Sequence, residues 1–171
     1  MSRNARIGLL FVLLLVATAC AAPETPVATT FADDLSFLEQ HTEIVLLHDA
    51  ENRALVAVAP EYQGRVMTST AEGDAGPSLG WIHRPGISAD EYQPHMNVFG
   101  GEDRFWLGPE GGQFAIFFLP GDPFDLDHWQ TPEPIDWGGW EVVDKSPERV
   151  SFRRSMQFEN YQKVPPNIAE D

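Results

Sequence analysis

From Phe31 onward, apolar residues recur along the chain in two periods. Phe31, Leu35 and Leu38 fall at i, i+4 and i+7, with Thr30 before them and Asp33 and Asp34 directly after Phe31 and Ala32. That spacing predicts a short amphipathic helix over residues 31–40, with Thr30 as N-cap and the two acids in the first turn, where a helix favours negative charge. The period then shortens. Residues 43–48 (EIVLLH) and 54–59 (ALVAVA) are compact apolar runs divided by Asp49, Ala50, Glu51, Asn52 and Arg53, a turn-rich interval that predicts a hairpin. Residues 64–70 (GRVMTST) alternate as a further strand. Residues 79–83, 113–119 (QFAIFFL), 140–143 and 149–158 (RVSFRRSMQF) continue the series of short runs, separated by Gly/Pro clusters. No helix-period run after residue 40 is long enough to supply the crossovers of a parallel sheet, and no internal repeat is present. The expected fold class is all-β, an antiparallel β-sandwich with one short N-terminal helix.

Ahead of this pattern lies a different one. Arg3 and Arg6 precede an unbroken apolar run from Ile7 to Val16, followed by the small residues Ala17, Thr18 and Ala19 and then Cys20. This is the order of a secretory signal peptide. A run of that length is too short to cross a hydrocarbon core of roughly 30 Å, which takes about 20 helical residues. Val16-Ala17-Thr18-Ala19-Cys20 resembles a bacterial lipobox, in which the cysteine becomes the first residue of the mature chain and carries the lipid; Ala17 stands where the commonest lipobox has Leu. An ordinary signal peptide with a chance cysteine is the other reading. The resemblance implies residues 1–19 as a lipoprotein signal peptide and Cys20 as the lipid attachment point. It also implies an exported, envelope-located protein held at the membrane by its acyl chains. Ala21 is not the Asp that marks inner-membrane retention in lipoproteins of enteric-type bacteria, so the outer membrane is the expected destination. Residues 20–30, with Pro23, Pro26 and several threonines, read as a flexible tether, and residues 31–171 as the β domain.

Composition sharpens what the domain can bind. The 171 residues carry 11 Lys+Arg against 26 Asp+Glu, a formal charge of −15. Nucleic-acid affinity rests on Lys/Arg neutralising phosphates, and the only basic cluster is Arg149, Arg153 and Arg154, so a nucleic-acid partner is excluded. With 43% hydrophobic residues the chain can bury a core. One cysteine cannot make an internal disulfide or a thiolate zinc site. His41, His48, His83, His95 and His128 show no metal spacing, and no cofactor motif occurs: neither G-x-G-x-x-G after a strand, nor a P-loop, nor G-x-S-x-G.

The densest chemistry lies in residues 97–112 (NVFGGEDRFWLGPEGG). Its glycines permit close approach of a ligand, while Asn97, Glu102, Asp103, Arg104 and Trp106 combine acceptors, a fork of donors and a flat apolar face. That mixture suits a carbohydrate, whose hydroxyls need paired donors and acceptors and whose C–H face packs on an aromatic ring. The same residues also fit a glycine-rich turn in which Arg104 pairs with a carboxylate and the aromatics are core. His95, two residues before Asn97, is the best-placed histidine for acid/base work. Residues 121–140 gather Asp122, Asp125, Asp127, Glu133 and Asp136 with Trp129, Trp137 and Trp140 on a proline-rich loop. Trp129 and Trp137 are either its packing or a stacking platform. The carboxylates could offer oxygen ligands to Ca²⁺, but the EF-hand order is absent and no metal is expected.

Residues 55–60 (LVAVAP), 64–69 (GRVMTS) and the segment from Asn97 to Glu110 resemble the amino-terminal half of galactose-mutarotase-like β-supersandwich proteins, closest to uncharacterised bacterial envelope members. The shared features are a strand ending in Pro, a Gly-Arg-hydrophobic turn and a Gly-Gly-x-x-Arg-hydrophobic-Trp-x-x-Pro-Glu segment. The resemblance covers about residues 42–160. The candidate sugar-binding residues read from the two segments themselves are Asn97, Asp103, Arg104, Trp106, Trp129 and Trp137; the resemblance adds a mutarotase-like β-sandwich. If the protein is an enzyme, it implies proton transfer at an anomeric centre, with His95 or Glu102 as acid/base. Two departures stand out. Catalytic members carry a His before the Gly-Gly pair where this chain has Phe99, and their general base comes from a carboxyl-terminal half. Such sandwiches usually need roughly 250 residues or more, so a fragment or truncated reading frame is expected. The alternative is a non-enzymatic structural or assembly lipoprotein that docks on an envelope protein partner through exposed strand edges and the acidic loop.

Overall fold

The computed structural model describes residues 29–162. The expected leader, Cys20 and almost all of the tether lie outside the described residues. Helix α1 spans Phe31–Glu39. It opens on a capping box: the Thr30 hydroxyl accepts the Asp33 N–H, and the Asp33 carboxylate accepts the Thr30 N–H. Two orphan amides are thereby satisfied, and the Asp33 carboxyl is held below its ordinary range, first by the Thr30 hydroxyl and then by its N–H. Phe31 and Leu38 are fully buried and Leu35 packs beside them, as the spacing predicts.

Strands β1 (Val45–His48), β2 (Leu55–Ala59) and β3 (Arg65–Thr70) form an antiparallel sheet in sequential order. The β1–β2 turn is organised by Asp49, whose carboxylate accepts the N–H groups of Arg53 and Ala54. Leu55, Ala57 and Ala59 alternate into a first core with Met67, Phe31, Leu38, Tyr62, Ile87 and Phe99. A register shift between Ala57 and Val58 leaves Met67 without a partner in the ladder, the local kink of a β-bulge. A 3-10 turn, Pro60–Tyr62, joins β2 to β3.

Beyond β3 the chain turns irregular. Short helices α2 (Arg84–Ala89) and α3 (Glu133–Asp136) precede the antiparallel hairpin β4 (Glu141–Ser146) and β5 (Arg149–Arg153). The hairpin turn meets the outer edge of the first sheet, where the His48 N–H donates to the Pro147 carbonyl at 2.7 Å. The architecture is all-β and antiparallel, with α1 the longest helix among the described residues.

Two expected strands are absent. Residues 79–83 pair only through an isolated bridge between Ile82 and Gly100 before Pro85 opens α2. Residues 113–119 form bends rather than a strand. Their apolar run fills a second core, where Ala115, Phe117 and Phe118 pack with Ile135, Trp106, Trp129 and Tyr161. Their carbonyls find scattered partners in place of a ladder: Tyr161 N–H on Ala115, Gln130 N–H on Phe117 and Gln162 N–H on Gln113. The last expected strand also stops at Arg153, with Met156 and Phe158 beyond it given to the second core.

Candidate functional site

Five separated segments meet beside the first core to form a cleft of about 230 Å³. The C-terminal end of α1 supplies His41 and Thr42, the 3-10 turn supplies Glu61 and Tyr62, the end of α2 supplies Asp90, and Phe99, Trp137 and Gly138 complete the lining. Tyr62 and Phe99 stack at 4.1 Å, and Trp137 follows at 5.9 Å from Phe99, with Tyr92 edge-on to it. Tyr62 is 9% and Phe99 6% exposed, whereas Trp137 is only half-buried, so Trp137 has ring surface to offer a ligand. The segment from Trp137 to Trp140 is held against the 3-10 turn by the Trp140 N–H on the Pro60 carbonyl and by Gln63 Nε2 on the Gly138 carbonyl. A Cβ at Gly139 would lie 2.7 Å from Glu61 Oε2. Glycine there lets the Glu61 carboxylate lie close against the backbone.

Two of the polar groups of the cleft are acids. Glu61 and Asp90 are exposed carboxylates, and burial, then Asp90, then Glu61 push the Tyr62 phenol above its ordinary value. The phenol therefore stays protonated and able to donate. Thr42 Oγ1 is buried with no hydrogen-bond partner, an unusual state for a hydroxyl in a folded protein. His41 directs Nδ1 to the Phe37 carbonyl at 2.8 Å and has Nε2 at 3.4 Å from Ser88 Oγ.

A second constellation lies between the two cores. Asp136, 1% exposed, accepts the Asn97 N–H at 2.7 Å and Asn97 Nδ2 at 2.8 Å. Its other oxygen lies 3.4 Å from Arg104, which also donates to the Ile135 carbonyl and stacks on Trp106 at 4.5 Å. Arg65, 4% exposed, donates to the Gly100 carbonyl and to Gln63. Burial first, and then the charge of Arg104, lower the Arg65 pKa to about 10. This node is closed and structural in character: both oxygens of Asp136 are engaged by side chains of this chain, while Arg65 Nε and Arg104 Nε stay buried without a partner.

The site residues expected from sequence are thus divided among several places. Asn97 and Arg104 meet at the Asp136 node. Asp103 caps the Arg104 N–H and bridges to Val66 on β3. Trp106 and Trp129 belong to the ring stack of the second core, each against Phe117, with their indole N–H groups on Glu110 and Thr131. Glu102 is engaged by the Ser69 N–H and hydroxyl, and His95 is directed at the Trp129 carbonyl. Neither of those two lines the cleft; of the expected residues only Trp137 does. Tyr62, Glu61 and Asp90 escaped the sequence because nothing in their local spacing joins them. Asp136 had a visible signal, a carboxylate set between the apolar Ile135 and Trp137. Among the described residues no group of three His, Cys, Asp or Glu side chains could hold a metal ion, and no helix is long and apolar enough to cross a membrane.

An antiparallel β domain carrying an aromatic-walled, acid-rimmed cleft is the class that fold and site define. The chain belongs to a family of unknown function, DUF6786, whose model matches residues 29–169. No curated protein and no solved structure matches it.

Proposed function

We propose that this protein is a lipid-anchored domain of the bacterial cell envelope that binds carbohydrate in the Trp137 cleft. The observation that carries the reading is the cleft itself, where half-buried Trp137 stands over stacked Tyr62 and Phe99 with two carboxylates beside them. A sugar ring presents C–H groups to an aromatic face and hydroxyls to acceptors at its edge, and Trp137, Glu61 and Asp90 offer both. The volume is below the roughly 300–1,000 Å³ typical of pockets for drug-sized ligands, so the cleft suits one sugar residue, such as the end of a glycan. Export and anchoring at Cys20 rest on the lipobox-like segment at residues 16–20.

Thermal melting against monosaccharides and bacterial glycans tests the reading. A ligand at a hundredfold excess over Kd adds about 2.7 kcal/mol to the native state. A specific rise in Tm that disappears in Trp137→Ala supports it. A cooperative melt that no sugar moves sinks it.

A docking role is the second reading, favoured by one observation. Leu119, Phe124 and Leu126 are 57%, 51% and 85% exposed on the loop that also carries Asp122, Asp125 and Asp127. An apolar tip with an acidic rim fits a protein partner with an apolar, lysine- or arginine-rimmed groove. A photo-crosslinker at position 126 that gives a discrete adduct in envelopes, absent with the crosslinker at position 46 on β1, would favour docking.

A further inference from the structure

We propose that the sugar taken by the Trp137 cleft carries a protonated amine, so that an amino sugar is bound in preference to its neutral or acidic counterparts. The inference rests on the carbohydrate reading and deepens it. Three observations carry it.

The first is the sign of the lining. Glu61 and Asp90 are its charged groups, and no lysine or arginine lines the cleft. Arg65 donates to the Gly100 carbonyl; Arg154 borders the cleft from behind Gly138 and Gly139, donating to the Gly139 carbonyl, so against the two carboxylates stands one cation outside the lining. His41, the remaining titratable group with Tyr62, has Nδ1 on the Phe37 carbonyl and Nε2 toward Ser88.

The second is the aromatic content. A cation is attracted to the face of an indole or phenol ring, most strongly to tryptophan, and Trp137 is the half-buried ring here. Carboxylates within reach of an aromatic face offer an ammonium group both a counter-charge and a π-surface, whereas an uncharged hydroxyl gains only a hydrogen bond from the same carboxylate.

The third is the unspent hydrogen-bonding capacity. Tyr62 is 9% exposed, lines the cleft and has both carboxylates close enough to bias its phenol. The Tyr62 phenol remains as a donor for a ring oxygen once the carboxylates are taken by an amine. A carboxylated sugar would face Glu61 and Asp90 with like charge, which disfavours it.

Titration of the protein's tryptophan fluorescence with glucosamine, glucose, N-acetylglucosamine and glucuronate tests the proposal. The comparison is made at low salt and about pH 6, below the range of roughly 7.7–8.0 where α-amino groups titrate. The expected result is glucosamine bound at least about tenfold tighter than glucose or N-acetylglucosamine, a difference in the range of one cation–π and charge contact. Glucuronate is expected to bind weakest. In the Glu61→Gln, Asp90→Asn double variant the preference should vanish, glucosamine and glucose binding with equal affinity whatever the loss in overall affinity, with circular dichroism checking that the variant is folded. Equal affinity for glucosamine and the neutral sugars overturns the amine preference and leaves the carbohydrate reading standing. No response to any of the four sugars, in a protein that melts cooperatively, overturns the amine preference. No response to the wider glycan panel either would then remove the carbohydrate reading as well.

Discussion

Removing the carboxylate of Asp136 is the sharpest test of what joins the two halves of the domain. Asp136→Ala strips an acceptor from the Asn97 N–H and Asn97 Nδ2 and a counter-charge from Arg104, all at a position 1% exposed. At 3.4 Å the ion pair alone attracts by about 5 kcal/mol at an effective dielectric of roughly 20, before desolvation is subtracted. Breaking a buried pair from one side costs about 3–5 kcal/mol, because the remaining charge stays buried. Here that charge is Arg104, whose guanidinium already adds to burial in lowering the proton affinity of Arg65. Against a total stability of roughly 5–15 kcal/mol, urea unfolding of Asp136→Ala should show a large fraction of the stability gone. Asp136→Asn should cost less, about 1–3 kcal/mol, since an amide oxygen still accepts from Asn97 while the charge is lost. Arg104→Met supplies the cycle: it should couple to Asp136→Ala by more than the roughly 0.5 kcal/mol expected of independent sites. A cost below about 1 kcal/mol for Asp136→Ala, or simple additivity in the cycle, would refute the view that this node holds the domain together.

Three further outcomes follow from single features. Thr30→Ala removes the hydroxyl of the capping box and should cost about 1 kcal/mol by chemical denaturation; an unchanged midpoint would contradict the cap. Gly100→Ala places a Cβ 2.1 Å from the Trp81 carbonyl at a φ of +82°; the left-handed backbone alone costs roughly 1–3 kcal/mol, so a melt like that of the parent would show the close approach is not real. The Asp125 carboxylate, 2.5 Å from His128 Nδ1, raises the His128 pKa above its ordinary 6.5, chiefly through that hydrogen bond, and is itself lowered. The pair's contribution is therefore complete below the unfolded pKa of His128 and lost as pH rises through its folded value, down to the lower pH at which Asp125 protonates. An NMR titration should place His128 above 6.5 and return it toward that value in Asp125→Asn.

Local order was legible where one short segment decides its own conformation. Thr30 and Asp33 cap α1 within four residues, and Asp49 with the turn after it sets the β1–β2 hairpin. Residues 113–119 depart from the strand their pattern predicts because an apolar run is the same signal whether its rings enter a sheet or a ring stack. What decided the matter was the supply of aromatic partners, Trp106, Trp129 and Tyr161, from distant segments. The cleft was less legible still. Its lining comes from residues 41–42, 61–62, 90, 99 and 137–138, and no periodicity connects such positions. The glycine-rich segment drew attention for a real reason, since Asn97 and Arg104 do make dense polar contacts. Their partner is Asp136 of this same chain, at the far end of a loop whose acids looked alike in sequence.

The placement of Asp136 also bears on how the domain opens. Two of the chain's crossings between the apolar clusters lie at this node: Phe99 lies in the first and Trp106 in the second, then Ile135 in the second and Trp137 beside the first. The Asn97–Asp136–Arg104 contacts fasten these two crossings to each other. Neither cluster can therefore fray away while the other stays intact without parting buried charge from its acceptor, so the halves are coupled into one exchanging unit. In native-state hydrogen exchange the amide of Asn97 should be released only by global unfolding, together with amides of β2.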